Sequence, residues 1–197
     1  MNEFENRYAG TRRTALVATL AILAMGALSA CGDDPFAVRW SADPDTVLLY
    51  SLGRPELNLV AGYDFFNRRA VRVESPDATG SWDVAVDTRD GRIVLVTPQV
   101  LGVDSKAGIA TMEGLTFDEV TEAPADTTAY VTDVAVPMTE GAVYVVRTNR
   151  RPGAFGSRCA FYAKMQALNV DVTAQTLTFV FDGARACNSR DLVPTEG

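Results

Sequence analysis

Between Trp82 and Thr97 apolar and polar side chains alternate with a period of two, which sets successive residues on opposite faces of an extended strand. Trp82, Val84 and Val86 share one parity and Asp83, Ala85 and Asp87 the other. Arg89-Asp90-Gly91 then supplies a turn and residues 92–97 run β-branched again, so a hairpin is predicted. Residues 58–63 and 65–74 carry Val, Phe and Tyr at strand density, broken around Asp64 and by Asn67-Arg68-Arg69, and read as two strands and a turn. Four more strands are predicted at 129–136, 142–148, 160–172 and 176–181, with turns at 137–141 and 150–156.

Within 160–172 the phase slips. Phe161, Ala163 and Met165 share one parity, Leu168, Val170 and Val172 the other, and a β-bulge near Ala167 reconciles them. Residues 97–117, with their glycines, Pro98 and weak periodicity, form the longest poorly patterned stretch; such stretches in compact domains are more often functional than accidental, so a site is sought there first. The mature part shows no convincing amphipathic helix and no internal repeat. The expected fold class is therefore all-β, a mostly antiparallel sandwich or partly open barrel.

Residues 1–30 follow a different logic. A basic region ends in Arg12-Arg13, an apolar run covers 15–28, and small residues precede Cys31. A spanning helix needs about 20 consecutive apolar residues, so a cleaved signal peptide is favoured over an uncleaved anchor. Leu28-Ser29-Ala30-Cys31 fits the lipobox pattern, in which the cysteine thiolate takes a diacylglyceryl group before the leader is cut. Thr11-Arg12-Arg13-Thr14 resembles a twin-arginine signal, and the export route stays open. The expected organisation is a leader at 1–30, a lipidated cysteine and tether at 31–44, and a single β domain at 45–197 in the cell envelope. Gly32 after the cysteine favours the outer membrane in the enteric sorting rule, and Asp33-Asp34 resembles the acidic tag of some surface lipoproteins.

An apolar fraction of 47% with 22% charged residues is that of a globular chain, and a net charge of -7 argues against nucleic acid as a partner. Membrane attachment must then come from lipid on Cys31. Of the three cysteines, Cys159 and Cys187 are left over in an oxidising compartment, where a disulfide is the simplest reading and two free thiols or a metal pair the alternative. Closing a loop of about 29 residues contributes about 3 to 4 kcal/mol on the chain-entropy account.

Several segments, taken in order, are similar to the HmuY family of haem-binding bacterial lipoproteins. They are Tyr63-Asp64-Phe65-Phe66, Ser81-Trp82-Asp83-Val84-Ala85-Val86, Phe117-Asp118-Glu119-Val120 with Ala123-Pro124, Val143-Tyr144-Val145-Val146-Arg147-Thr148, Tyr162-Ala163-Lys164-Met165-Gln166 and Thr176-Leu177-Thr178-Phe179. The resemblance implies a lipidated, mostly antiparallel β protein that holds haem iron between side chains on loops near one end. The family's namesake uses two histidines, and this chain has none, so haem or another tetrapyrrole would need other ligands. Thioether is a known axial donor. Met112, after the irregular stretch, and Met138, in the 137–141 turn, are the candidate iron ligands, whereas Met165 reads as core.

The missing histidine also excludes Ser-His-Asp and Cys-His catalysis and imidazole zinc sites, so no enzyme is expected. Asp83 and Asp87 would lie roughly 13 Å apart on one strand face, too far for a shared proton or a glycosidase pair; they read as a solvated strand face, with a fold-specific hydrogen bond from Asp83. Asp87-Thr88-Arg89-Asp90-Gly91 lacks the alternating ligands of a calcium loop and reads as a turn. Gly102 and Gly108 flank Lys106 without forming a phosphate-cradling motif. Arg147, Arg150, Arg151 and Arg158 concentrate positive charge on one connection and could meet a carboxylate-bearing ligand or partner, or form a solvated turn. The leading expectation is a non-enzymatic lipid-anchored binding protein, with haem the possible ligand; the alternative is a structural or interaction lipoprotein with an envelope protein as partner.

Overall fold

The computed structural model describes residues 44–56 and 58–194, so the expected leader, the lipid site Cys31 and the tether up to residue 43 lie outside the described residues. In chain order the strands are β1 (Asp45–Tyr50), β2 (Gly62–Asp64), β3 (Arg69–Val71), β4 (Val84–Arg89), β5 (Arg92–Val96), β6 (Gly108–Met112), β7 (Val136–Pro137), β8 (Val143–Arg147), β9 (Arg151–Pro152), β10 (Arg158–Cys159), β11 (Tyr162–Asp171) and β12 (Thr176–Ala184). Among the described residues helical structure is limited to short 3-10 turns. The fold class is all-β. Two five-stranded antiparallel sheets, ordered β1-β12-β11-β8-β6 and β3-β2-β4-β5-β7, are open and do not close into a barrel, and β9 and β10 form a small separate ribbon.

The sequence packs as a sandwich because alternate residues of both sheets meet in one apolar layer. Leu49, Ile109, Tyr144, Val146, Met165, Leu177, Phe179 and Phe181 from the first sheet join Tyr63, Val84, Val86, Ile93, Leu95 and Val136 from the second. Each large side chain buried here contributes about 1.5 to 3 kcal/mol relative to exposure. Tyr63 and Phe65 stand edge-on to Phe181 at 5.1 and 5.2 Å, the geometry that aligns ring edge with ring face.

The runs Ile93–Val96 and Val143–Val146 are apolar at every position, and both faces of each are buried. Val94, Val96 and Ala85 turn outward onto Trp82, Val71 and Ala78. Val143, Val145 and Ala110 turn outward beneath Val120, Ala123, Tyr130 and Leu192. The segment that brings Val120 and Ala123 is fastened by Lys164 of β11, whose Nζ donates to the carbonyls of Phe117 (2.9 Å) and Val120 (3.2 Å). Burial pushes the Lys164 ammonium pKa down.

Two local features follow the sequence reading closely. Asp90 and Gly91 take φ of 50° and 70°, the left-handed pair that a two-residue hairpin requires, so the turn between β4 and β5 is confined to these two residues, and Asp87–Arg89, read with them as a turn, continue the β4 ladder. In β11 the pairing with β12 shifts between Ala167 and Asn169, which is the bulge expected near Ala167.

Other readings need correction. Residues 129–136 are not one strand: after a 3-10 turn at Thr127–Ala129, Val131 bridges Ile109 in one sheet and Val136 pairs with Leu95 in the other. The segment is a crossing between layers, and its β-branched residues serve both. The stretch 97–117 is less irregular than its composition suggests, since it contains β6 on the edge of the first sheet. The strand expected at 65–74 shrinks to Arg69–Val71, because the chain turns at Phe65–Arg68. Residues 45–50, assigned only to the start of the domain, form the edge strand β1.

Candidate functional site

One end of the sandwich gathers the charged side chains that the strands aim toward each other. Asp64 closes β2, Asp83 immediately precedes β4, and both are fully buried. Between them lies Arg151 of β9, with one terminal guanidinium nitrogen 2.7 Å from Asp64 Oδ1 and 3.5 Å from Asp83 Oδ1. Asp64 also accepts from the backbone N–H of Asn67 (3.1 Å) and its side-chain Nδ2 (2.7 Å). Asp83 accepts from the backbone N–H groups of Phe65 (2.9 Å) and Asn149 (3.0 Å). The hydrogen-bonding role expected of Asp83 is therefore present and ties β2 and the end of β8 to one carboxylate, whereas the solvated face expected for it is not, because the latch buries the side chain completely.

Burial pushes the Asp83 carboxyl pKa up to about 6, against the opposing pull of Arg151 and of the Asn149 and Phe65 N–H donors; the Asp64 charge adds to the upward push. The Arg151 guanidinium also lies 5.5 Å from the Phe66 ring centroid, and Phe66 packs on Phe161 at 4.4 Å. Its buried Nε has no hydrogen-bond partner among the described residues. This cluster is a latch: its oxygens are occupied by donors of the fold, which leaves no carboxylate pair free for acid-base work.

Beside the latch opens a cleft of about 410 Å³. Its walls carry Lys106 from the approach to β6, Arg147 at the end of β8, Arg150 just beyond it, Arg158 of β10 and Tyr162 of β11. Asn188 and Thr148 also line it. Arg147 is held by an Nε bond to the Lys106 carbonyl (3.2 Å) and lies 4.8 Å from the Tyr130 ring centroid. Asn149 joins cleft and latch: its N–H serves Asp83, while its Oδ1 accepts from the backbone N–H groups of Lys106 (3.0 Å) and Arg150 (2.9 Å).

The Cys159–Cys187 disulfide fixes the outer wall, with Cα atoms 4.9 Å apart. Each cysteine is next to a lining residue, Arg158 and Ala160 on one side and Asn188 on the other. Asn188 exchanges two bonds with the Ala160 backbone, both 2.9 Å. Gly153 is required here, because a Cβ would collide with the Cys159 sulfur and the Ser157 hydroxyl.

The four arginines singled out in the sequence thus part company. Arg147, Arg150 and Arg158 line the cleft, and Arg151 turns inward to the acids. Lys106 and Asn188 were missed as site residues because only the topology brings residues 106 and 188 beside 147–162. Asp64 and Asn149 gave no signal beyond a polar residue bordering an apolar strand.

The methionines are placed differently from the sequence expectation. Met138 is not presented on a turn: it is buried in the main core, and its N–H donates to the Ile93 carbonyl. The reason lies next door, where the Tyr144 hydroxyl donates to Pro137 O and accepts from Thr139 N–H, both at 3.1 Å, and draws the turn inward. Met112 is the last residue of β6 and packs against the outer cluster with Val143 and Phe117. The two sulfurs belong to different apolar clusters, so the pair does not fit the two axial positions of one haem. Met165 is core, as expected. Among the described residues no group of three or more Cys, Asp or Glu is arranged to hold a metal ion.

An open antiparallel sandwich with a buried carboxylate–guanidinium latch and an adjoining cationic cleft defines the molecule at the level of class. No family model matches the chain, and none of the curated proteins matches it.

Proposed function

We propose that this chain is a lipid-anchored binding protein of the cell envelope, HmuY-like in its sheet-rich body and not an enzyme. The observation that carries the reading is the Cys159–Cys187 disulfide. With three cysteines in the chain, the pairing leaves Cys31 alone, at the end of an apolar leader and in a lipobox setting. A disulfide also suits an oxidising compartment. The binding reading draws on the site: its acids are engaged by the fold, and its open space is lined by groups that hold ligands.

The test is mass spectrometry of the protein recovered from a bacterial membrane fraction. A mature chain beginning at a diacylglyceryl-modified Cys31 is expected, and Cys31→Ala should release the protein from the membrane. An unmodified leader on cytosolic protein would refute the anchoring. The haem arm is an absorbance titration with haemin. A Soret shift abolished by Met112→Ala or Met138→Ala would restore methionine ligation, and a flat titration would remove haem.

One observation favours the second reading, an interaction lipoprotein that docks an envelope protein. Phe155, at the tip of the β9–β10 ribbon, is wholly exposed and sits at φ 55°. Cross-linking from this tip, lost in Phe155→Ser, would support it; a tip that captures no envelope protein would count against it.

A further inference from the structure

We infer that the cleft between Lys106, Arg147, Arg150 and Arg158 binds a small ligand bearing more than one oxyanion group. This deepens the binding half of the proposed function and is independent of the lipid anchor.

The lining is rich in donors. Lys106, Arg147, Arg150 and Arg158 all line it, with Tyr162 and with Asn188, whose side-chain carbonyl is already taken by the Ala160 N–H. No carboxylate lines the cleft, and none of its four cations forms an ion pair with a carboxylate among the described residues. In a chain with 25 acidic and 18 basic residues a counter-charge was readily at hand. Like charges gathered without counter-charges repel, and an anion relieves that repulsion.

Arginine predominates, and its planar fork matches the paired oxygens of carboxylate or phosphate better than the point charge of lysine does. Arg147 is already oriented by its bond to Lys106 and its stacking on Tyr130, so less side-chain freedom is lost on binding. At about 410 Å³ the space lies within the range of small-molecule sites, beyond what one inorganic anion fills. A di- or tricarboxylate and a pyrophosphate-like ligand share the chemistry that this lining recognises.

The test is isothermal titration of the full chain in mild detergent, at about 0.15 M salt where diffuse charge attraction is screened, with citrate, pyrophosphate and inorganic phosphate as probes. Saturable one-site binding of citrate or pyrophosphate, stronger than that of inorganic phosphate, is expected; whichever binds more tightly names the source of the oxyanion. Arg150→Ala and Arg158→Ala remove side chains that form no ion pair among the described residues, and each should weaken binding about tenfold or more, the usual worth of a charged hydrogen bond. Arg147→Lys should weaken it although the charge is kept. Arg92→Ala, an exposed charge on β5, should leave it unchanged. Absence of saturable binding by all three probes, or an equal loss in Arg92→Ala, overturns the inference. Neither result bears on the Cys31 modification, so the two readings fail separately.

Discussion

Replacing Asp83 by Asn asks which force governs the buried latch, desolvation or the Arg151 charge. An Asn side chain has one acceptor where Asp83 offers two, and both oxygens are in use, toward Phe65 N–H and Asn149 N–H. One backbone donor would be left facing an NH2 group, at a cost of about 1 to 3 kcal/mol, alongside a lost charged hydrogen bond of similar size. The pH dependence is the sharper readout. With its folded pKa raised from 3.8 to about 6, Asp83 holds its proton in the folded chain between pH 4 and 6 while the unfolded chain has released it. The unfolded state then binds fewer protons, and stability from this group falls as pH rises through that window. A difference of that size in proton affinity between the folded and unfolded chain corresponds to about 3 kcal/mol. Urea unfolding at pH 4, 5, 6 and 7, followed by fluorescence of the neighbouring buried Trp82, measures both proteins. The stability advantage of the parent over Asp83→Asn should shrink by about that amount between pH 4 and 7. An advantage that grows with pH would show that Arg151 and the two N–H donors outweigh burial, and would refute the reasoning.

Arg151→Met should cost about 3 to 5 kcal/mol, because Asp64 and Asp83 lose the cation buried with them; urea unfolding at neutral pH measures the loss. Cys159→Ser should lower stability by about 3 to 4 kcal/mol, and adding reductant to the parent should reproduce the drop in a calorimetric melt while leaving the variant unmoved. In Tyr144→Phe the Thr139 N–H loses its acceptor and Pro137 O its donor, at a cost of about 1 to 3 kcal/mol. Faster amide exchange at Thr139, ahead of any change in β8, would mark the release of the turn.

The alternation around Trp82 and the Asp90-Gly91 pair made the β4–β5 hairpin legible because its pairing is local and its turn chemistry is specific. β1 and β6 were not legible for the opposite reason. β1 pairs with β12 at the far end of the chain, and β6, opening on Gly108, pairs with β8. Gly108 itself answers to a tertiary demand, since a Cβ there would press on Tyr130 and Thr132. Residues 129–136 misled because β-branched side chains mark burial on a pleated surface, and this segment is buried by two surfaces in succession. At the site, four arginines stand out because they are neighbours along the chain. The separation of Arg151 from the other three depends on where two distant aspartates lie, which no local pattern encodes. Met138 departs from its expected presentation because a turn composition carries no information on burial, and the Tyr144 hydroxyl draws this turn inward.

The irregularity in β11 has a lasting effect on how this molecule tolerates change. Leu168 is a supernumerary residue, half exposed and outside the ladder, while Ala167 still faces Phe179 and Val170 still faces Leu177. One continuous strand thereby supplies the interior from both halves although their numbering is out of step. Excising Leu168 would let Asn169 and Val170 follow Ala167 in unbroken alternation with their partners unchanged, so β11 can lose a residue at this one point, whereas a deletion elsewhere in the strand would move every side chain beyond it to the other face.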